Sequence, residues 1–264
     1  MLRFLHVAIF LAAVATPGCS LLAKKPPTPA AKLDTSSLAY TPPPPDQRQY
    51  VIVFASQSTP KQAKYTHTWA TAVRVTNDSQ GALPAMEVNT ISWMPATLDI
   101  HPLHFRTEPG VNLDLDTTIR EMLKHDEKIA MWGPYEIGRG SYLRFVTQKD
   151  FLQSGAIGYQ CIDSVGEAAR TGNGCDCIHA ITDMDPIYSR LRYPLSFNGF
   201  SASRHVVHEL MIRPVIYNPE TTHDWLIPVL GLDKYPIEQK QYLGRMVSHM
   251  PGQPAFQTPA GLRR

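Results

Sequence analysis

Hydrophobic and polar positions follow strand and helix periods from about residue 47 to residue 247. An uninterrupted apolar run at residues 50–55 is typical of a buried strand. Segments 66–76 and 86–93 are rich in β-branched and aromatic residues, and they flank the turn-forming stretch Asn-Asp-Ser-Gln-Gly at 77–81. The pattern therefore predicts that these two segments form a β-hairpin.

Farther along the chain, helical and strand patterns alternate. Asp114 or Asp116 can cap a helix that runs to about residue 125, and strands are predicted at 128–137 and 157–163. Helical spacing occurs at 142–152 and 202–212, and a fourth helix is predicted to start near Cys177, after a glycine-rich loop at 166–174. This mixture predicts an α+β fold, in which an antiparallel sheet packs against helices.

The two ends of the chain differ from this middle part. Residues 1–19 have the charged, apolar, small-residue order of a secretory signal peptide, and the Gly18-Cys19 step resembles a bacterial lipobox. Thr16 stands where leucine is usual in that motif, so ordinary cleavage nearby is the alternative. Residues 20–46 form a proline-rich tether, and 248–264 form a loose tail. We expect one globular domain at 47–247, exported to the cell envelope and anchored to the membrane by lipid on Cys19.

Composition and charge exclude some classes of function. The 25 basic and 23 acidic side chains give a net charge of +2, with no basic stripe that would indicate nucleic-acid binding. No apolar run reaches the ~20 residues that a membrane-spanning helix needs. The lipid expected on Cys19 makes the membrane an expected partner.

Three cysteines remain if Cys19 carries lipid. An exported protein can form disulfides, and the odd number favours one bridge, Cys161–Cys175, with Cys177 left as a free thiol. Metal binding by Cys175, Cys177 and His179 is the alternative, but this Cys-x-Cys-x-His spacing is not typical of structural zinc sites. We expect no metal and no cofactor.

A free cysteine at a helix N-terminus is a candidate nucleophile, because the helix dipole favours its thiolate. His67, on the first strand of the hairpin, is the candidate general base. The residue that orients His67 depends on the hairpin register. Asn89 is the first candidate, Ser92 the second and His101 the third, since side chains directly opposed on two strands share a face.

The sequences His67-Thr68-Trp69-Ala70 and Asp176-Cys177-Ile178-His179-Ala180 carry a family resemblance. They resemble the His-Trp strand motif and the Asn-Cys-x-His helix motif of the circularly permuted NlpC/P60 papain-like superfamily, which includes lecithin–retinol acyltransferase-like proteins. The residue inserted before Trp69 and the aspartate at position 176 depart from those motifs.

This resemblance implies a papain-like fold and a thiol hydrolase or acyltransferase with a Cys-His-polar triad. Such an enzyme acts on an amide or ester bond, and cell-wall peptide is a natural substrate in the cell envelope. The alternative is a binding lipoprotein that uses the same cleft without chemistry.

Replacing Cys19 by serine tests the anchor. The native chain should partition with membranes and carry an acyl mass on Cys19, whereas Cys19→Ser should lose both, because serine does not accept the lipid. Membrane fractionation and mass spectrometry of the mature N-terminus provide the measurement. A native protein without acyl mass, cleaved elsewhere, would contradict the prediction.

Overall fold

The structure is a computed structural model that describes residues 46–77, 84–184, 190–194 and 198–242. The expected signal peptide, Cys19, nearly all of the tether and the expected tail lie outside these residues. No helix in the described ranges is long and apolar enough to cross a membrane.

Nine strands occur in the described residues: β1 (Gln47–Gln57), β2 (Thr66–Thr76), β3 (Ala85–Ile91), β4 (Trp93–Pro95), β5 (Gly110–Asn112), β6 (Lys128–Ile137), β7 (Gly158–Tyr159), β8 (Gly174–Cys175) and β9 (Ile237–Lys240). The same ranges hold six α-helices: α1 (Leu115–Lys124), α2 (Arg139–Gln153), α3 (Gly166–Thr171), α4 (Cys177–Thr182), α5 (Phe200–Ile212) and α6 (Leu226–Val229).

A five-stranded sheet in the order β3-β2-β1-β6-β9 organises the domain. All neighbouring strands within this sheet are antiparallel, except that β6 and β9 are parallel. The structure therefore confirms the expected mixed α+β class, with a mostly antiparallel sheet packed against helices. Two short two-stranded sheets, β4-β5 and β7-β8, lie beside the main one.

The two faces of the sheet bury different sets of side chains, because successive residues of a strand point to opposite sides. On one face, Ala70 and Ala72 of β2 belong to a core cluster with Ile181 of α4 and Val206 of α5. On the other face, Trp69 belongs to a second cluster that includes residues of β1 and α1. Helices thus cover both faces of the central strands.

Most of the longer predicted elements are confirmed, and two of the shorter ones are wrong. The hairpin of β2 and β3 forms, and Asp114 is the residue that caps α1. The strand predicted at 157–163 reduces to β7, and the predicted loop at 166–174 contains α3. Glycines made this segment resemble a loop, but Gly172, with a φ of 71°, only ends the helix in the left-handed conformation.

The Asp114 cap gives a stability prediction. Its carboxylate accepts hydrogen bonds from the backbone N–H and the hydroxyl of Thr117, both at 2.8 Å. Asp114→Ala should lower the free energy of unfolding by about 1 kcal/mol, because a helix donor loses its partner. Denaturant titration measures the change. Asp150→Ala, which removes an exposed carboxylate, is the control and should stay within ~0.5 kcal/mol of the native chain; equal losses in both variants would contradict the prediction.

Candidate active site

A cavity of about 70 Å³ lies where the start of β2 meets the start of α4. Side chains from both cores and from the connecting loops line it, and those that carry reactive or polar groups are Thr66, His67, Thr68, Tyr159, Cys161, Asp176, Cys177, Tyr193 and Asn198. The structure therefore brings the predicted nucleophile and the predicted base to one cavity.

The cavity forms because the pairing of β2 with β3 ends early. That pairing extends from Thr76 only to Ala70, which lies opposite Ile91. β3 then ends, and the next residue is Ser92, whose N–H donates to the side-chain carbonyl of Asn112 at 2.8 Å. The Asn112 amide in turn donates to the backbone carbonyl of Thr90. Asn112 thus stabilises the break that leaves residues 66–69 without a β3 partner.

Cys177 is the first residue of α4, as predicted. Asp176 caps this helix, and its carboxylate accepts from the N–H groups of Ile178 at 2.9 Å and His179 at 2.7 Å. Cys177 is half-buried and lines the cavity beside Thr68 of β2. The nucleophile candidate therefore lies against the unpaired edge of β2.

His67 is almost completely buried on the opposite side of the same edge. Its ring stacks on Trp69 at a centroid distance of 5.5 Å, which places it on the Trp69 face of the sheet. Nε2 lies 2.9 Å from the hydroxyl oxygen of Ser92, whereas Nδ1 is buried without a hydrogen-bond partner among the described residues. Ser92 therefore fixes Nε2 of His67, and Nδ1 is available to exchange a proton or a hydrogen bond.

His67 and Cys177 approach the cavity from different faces of β2. Thr68, between His67 and Trp69, points to the face that carries α4 and α5, where its hydroxyl is hydrogen-bonded to the hydroxyl of Ser203 in α5 at 2.8 Å. Cys177 packs against the core of that same face. Because His67 Nδ1 has no partner in the described part of the chain, the imidazole and the thiol share a cavity without being hydrogen-bonded to each other.

The first choice for the residue that orients His67 was wrong. Asn89 pairs with Ala72, and its amide donates to the Tyr142 hydroxyl at 2.9 Å while its carbonyl accepts from Lys149 at 2.6 Å. The hairpin register is shifted relative to both registers considered from the sequence. Ser92, the second choice, follows the last β3 residue and reaches His67 diagonally across the strands.

His101, the third choice for this role, is also excluded. Its side chain is exposed, and its Nε2 lies 3.2 Å from the carboxylate of Asp99. His101 therefore interacts at the surface, away from the imidazole of His67.

The expected Cys161–Cys175 disulfide is absent, since all three described cysteines are free thiols. Cys175 is buried, donates to the backbone carbonyl of Asp176 at 3.4 Å and lies 4.0 Å from the Arg190 guanidinium. Cys161 lines the cavity and accepts from the Tyr159 hydroxyl. The short β7-β8 pairing brings the backbones together but directs the two sulfurs to different surroundings.

The electrostatics of the cavity contradict the expectation of a thiolate at Cys177. Burial, reinforced by the negative charge of Asp176 and by Cys161, raises the pKa of the Cys177 thiol well above its ordinary value. Burial also lowers the pKa of His67 from 6.5 to about 3. Near neutral pH the pair is therefore a neutral thiol and a neutral imidazole.

A buried charged cluster lies directly behind Cys177. Asp163, Asp176 and His179 bring their ligand-type atoms within 4.8 Å of one another, close enough for a metal ion. However, Nε2 of His179 faces the carbonyl oxygen of Leu191 at 2.8 Å, and Nδ1 faces both carboxylates at 2.9 and 3.0 Å. Arg190 also donates to Asp163 at 2.8 Å. This geometry fits a protonated histidine better than a metal ligand.

Several residues of the site were not identified from the sequence. Asn112 supports Ser92, Tyr193 donates to the carboxylate of Asp176, and Asp163 accepts from the N–H of Asp176 at 3.1 Å. Each lies in a loop or in a strand of two or three residues, where no periodic pattern reveals its role.

Comparison with protein-family models, curated proteins and solved structures finds no match for this chain.

The pKa directions predict the pH dependence of thiol alkylation. The thiolate is the reacting form, so a raised pKa should keep Cys177 slow near neutral pH and make its rate rise only above the ~8.5 of an ordinary thiol. Iodoacetamide labelling across a pH series, quantified by peptide mass, measures this rate. In urea the same thiol should titrate near the ordinary value, and a native pKa below that value would contradict the prediction.

Proposed function

We propose that the protein is a thiol hydrolase or acyltransferase that acts on an amide or ester bond. One observation carries the proposal: Cys177 and His67 line the same cavity, and the buried imidazole is hydrogen-bonded through Nε2 to Ser92, while Nδ1 has no partner among the described residues. A buried polar atom without a partner costs free energy, so its retention suggests that it has a use.

In the proposed mechanism, Cys177 is the nucleophile, His67 the general base and Ser92 the residue that orients His67. When Nε2–H donates to the Ser92 hydroxyl, Nδ1 presents a lone pair to the cavity. His67 then takes the thiol proton as the sulfur attacks the carbonyl carbon, and it returns this proton to the departing amine or alcohol. Water or an acceptor attacks the resulting thioester and restores the thiol.

The neutral state of the pair suits general-base catalysis rather than a preformed ion pair. An imidazole with a pKa of about 3 is unprotonated at neutral pH, which is the state that a general base requires. It is also a weak base, so proton transfer from the thiol requires the substrate complex to stabilise the imidazolium that forms. The thiol loses its proton only as the new bond forms. Because the two groups are not hydrogen-bonded in the structure, substrate binding must bring them together.

We further propose a permuted papain-like arrangement for the domain. Three features support it: histidine on a strand, a polar partner just after the next strand, and cysteine at the start of a helix packed against that sheet. Export, lipid attachment at Cys19 and action on cell-wall peptide belong to the same proposal. A cavity of about 70 Å³ accommodates the reacting group of such a substrate but not a whole peptide.

A binding lipoprotein without catalysis is the second candidate. The raised pKa of Cys177 favours it, because an unreactive thiol contributes only packing. The two candidates differ in whether the sulfur of Cys177 ever carries an acyl group.

Trapping that acyl group tests the proposal. Incubation with a p-nitrophenyl acyl ester should release nitrophenolate and leave the acyl mass on Cys177, as measured by intact mass and peptide mapping. Cys177→Ala should abolish the adduct. Ser92→Ala should slow acylation roughly tenfold or more, because the base loses its orienting partner.

Two variants act as controls. Cys161→Ala removes the other thiol of the cavity and should leave the acyl mass on Cys177. Asn89→Ala removes the amide that does not reach His67, and this variant should acylate at the native rate. Label on Cys161 instead, or equal losses in the Ser92 and Asn89 variants, would contradict the assignment. A folded chain that never becomes acylated would favour the binding protein.

A further inference from the structure

The charged cluster behind Cys177 has no part in the mechanism above, although it is the most polar region of the described core. Asp163, Asp176 and His179 are each almost completely buried. Arg190 bridges Asp163 at 2.8 Å and Asp183 at 3.0 Å, and it is the partly exposed member of the group. Ionisable groups are rarely buried unless they compensate one another.

The hydrogen bonds determine the protonation state of His179. The Leu191 carbonyl can only accept, so Nε2 must carry a hydrogen. Nδ1 faces two carboxylates, which also only accept when ionised, so it must carry a hydrogen as well. His179 is therefore an imidazolium. Burial alone would lower its pKa, but the charge of Asp176 and the hydrogen bonds to both carboxylates raise the pKa to about 11.

The cluster is connected directly to the nucleophile. One oxygen of Asp176 accepts from the N–H groups of Ile178 and His179 and so caps α4, whose first residue is Cys177. The other oxygen accepts from the Tyr193 hydroxyl and from His179. Asp176 and Tyr193 are also part of the cavity wall. The Asp176 carboxylate therefore caps α4 and also forms part of the cavity wall.

We propose that protonated His179 is a positioning residue for the Cys177 site: it clamps the Asp176 cap of α4 to Asp163, and its charge offsets the carboxylate next to the thiol. This inference rests on the proposed function, because positioning has meaning only if Cys177 is the nucleophile. His179 itself touches neither the cavity nor a substrate.

The charge balance explains why the clamp matters. The groups facing His179 from the neighbouring segments include the carboxylates of Asp163 and Asp176 and the hydroxyl of Tyr193. Arg190 and Asp183 complete the cluster, and the thiols of Cys175 and Cys177 lie beside it. Without the imidazolium, the carboxylates of Asp163 and Asp176 would lose the cation that lies between them, and the thiolate of Cys177 would form beside a less compensated negative charge.

The test is a double-mutant cycle of His179→Gln and Asp176→Asn in the full chain. Asparagine also caps helices, so Asp176→Asn removes charge while keeping the cap. Alone it should lower the melting temperature, because His179 loses an ionic partner. In the His179→Gln background it should raise the melting temperature, because it removes the carboxylate left without a counterion. This reversal of sign is the expected result.

The reactivity of the Cys177 thiol is the second measurement, and it would stay unchanged if His179 had only a structural role. His179→Gln should raise the apparent pKa of Cys177 alkylation and slow labelling at a fixed pH by roughly three- to tenfold, and adding Asp176→Asn should restore the native rate. His104→Gln, which removes an exposed imidazole elsewhere, is the matched control and should change neither quantity.

Each outcome decides the proposal. If His179→Gln alone fails to fold but the double variant folds, the clamp is supported. If Asp176→Asn lowers stability equally in both backgrounds, if neither His179 variant folds, or if the alkylation profile stays unchanged, the proposal is overturned. Alkylation requires no substrate, so a chain that passes this cycle but never becomes acylated would refute the catalytic function and leave the electrostatic coupling in place.

Discussion

The site depends on the point where β2 and β3 stop pairing. A continuous ladder would place β3 residues along Thr66–Trp69 and would close the space in which His67 and Cys177 meet. The chain instead breaks at Ser92, and the side chain of Asn112 satisfies the backbone groups that the break exposes. The unpaired edge then receives α4, whose first residue, Cys177, lines the cavity together with Thr68 of β2. The cavity is a consequence of an interrupted sheet.

Two histidines near this edge have opposite protonation states. His67 lies between apolar and neutral polar groups, so burial removes its proton. His179 is also buried, but it lies between two carboxylates whose charge and hydrogen bonds overcome the same penalty. Burial is thus not sufficient to predict the charge of a histidine; the partners of its two nitrogens decide it. At neutral pH the imidazole of His67 is uncharged, and that of His179 is a cation that binds the carboxylates beside it.

The cavity and the charged cluster meet at the start of α4. Asp176 belongs to both, since it lines the cavity and accepts from the imidazolium. Its carboxylate stabilises the start of α4 but opposes ionisation of Cys177. An uncharged thiol that loses its proton only during attack avoids this conflict, whereas a permanent thiolate would lie beside a carboxylate in a region with little water to screen the two charges.

The sequence by itself determined the long elements of the fold and the type of chemistry to look for. Alternation and turn residues predicted the hairpin, Asp114 predicted the start of α1, and the residues before Cys177 predicted the start of α4, because these signals lie within a few positions of one another. Only the tertiary structure decided the partner of His67, the state of the cysteines and the charge of His179. The hairpin register depends on how the whole turn closes, so Asn89 and Ser92 were indistinguishable by counting residues. The direction of each sulfur depends on the packing of β7 and β8, and the proton on His179 depends on Asp163 and Leu191, which the fold brings to its ring from separate parts of the chain.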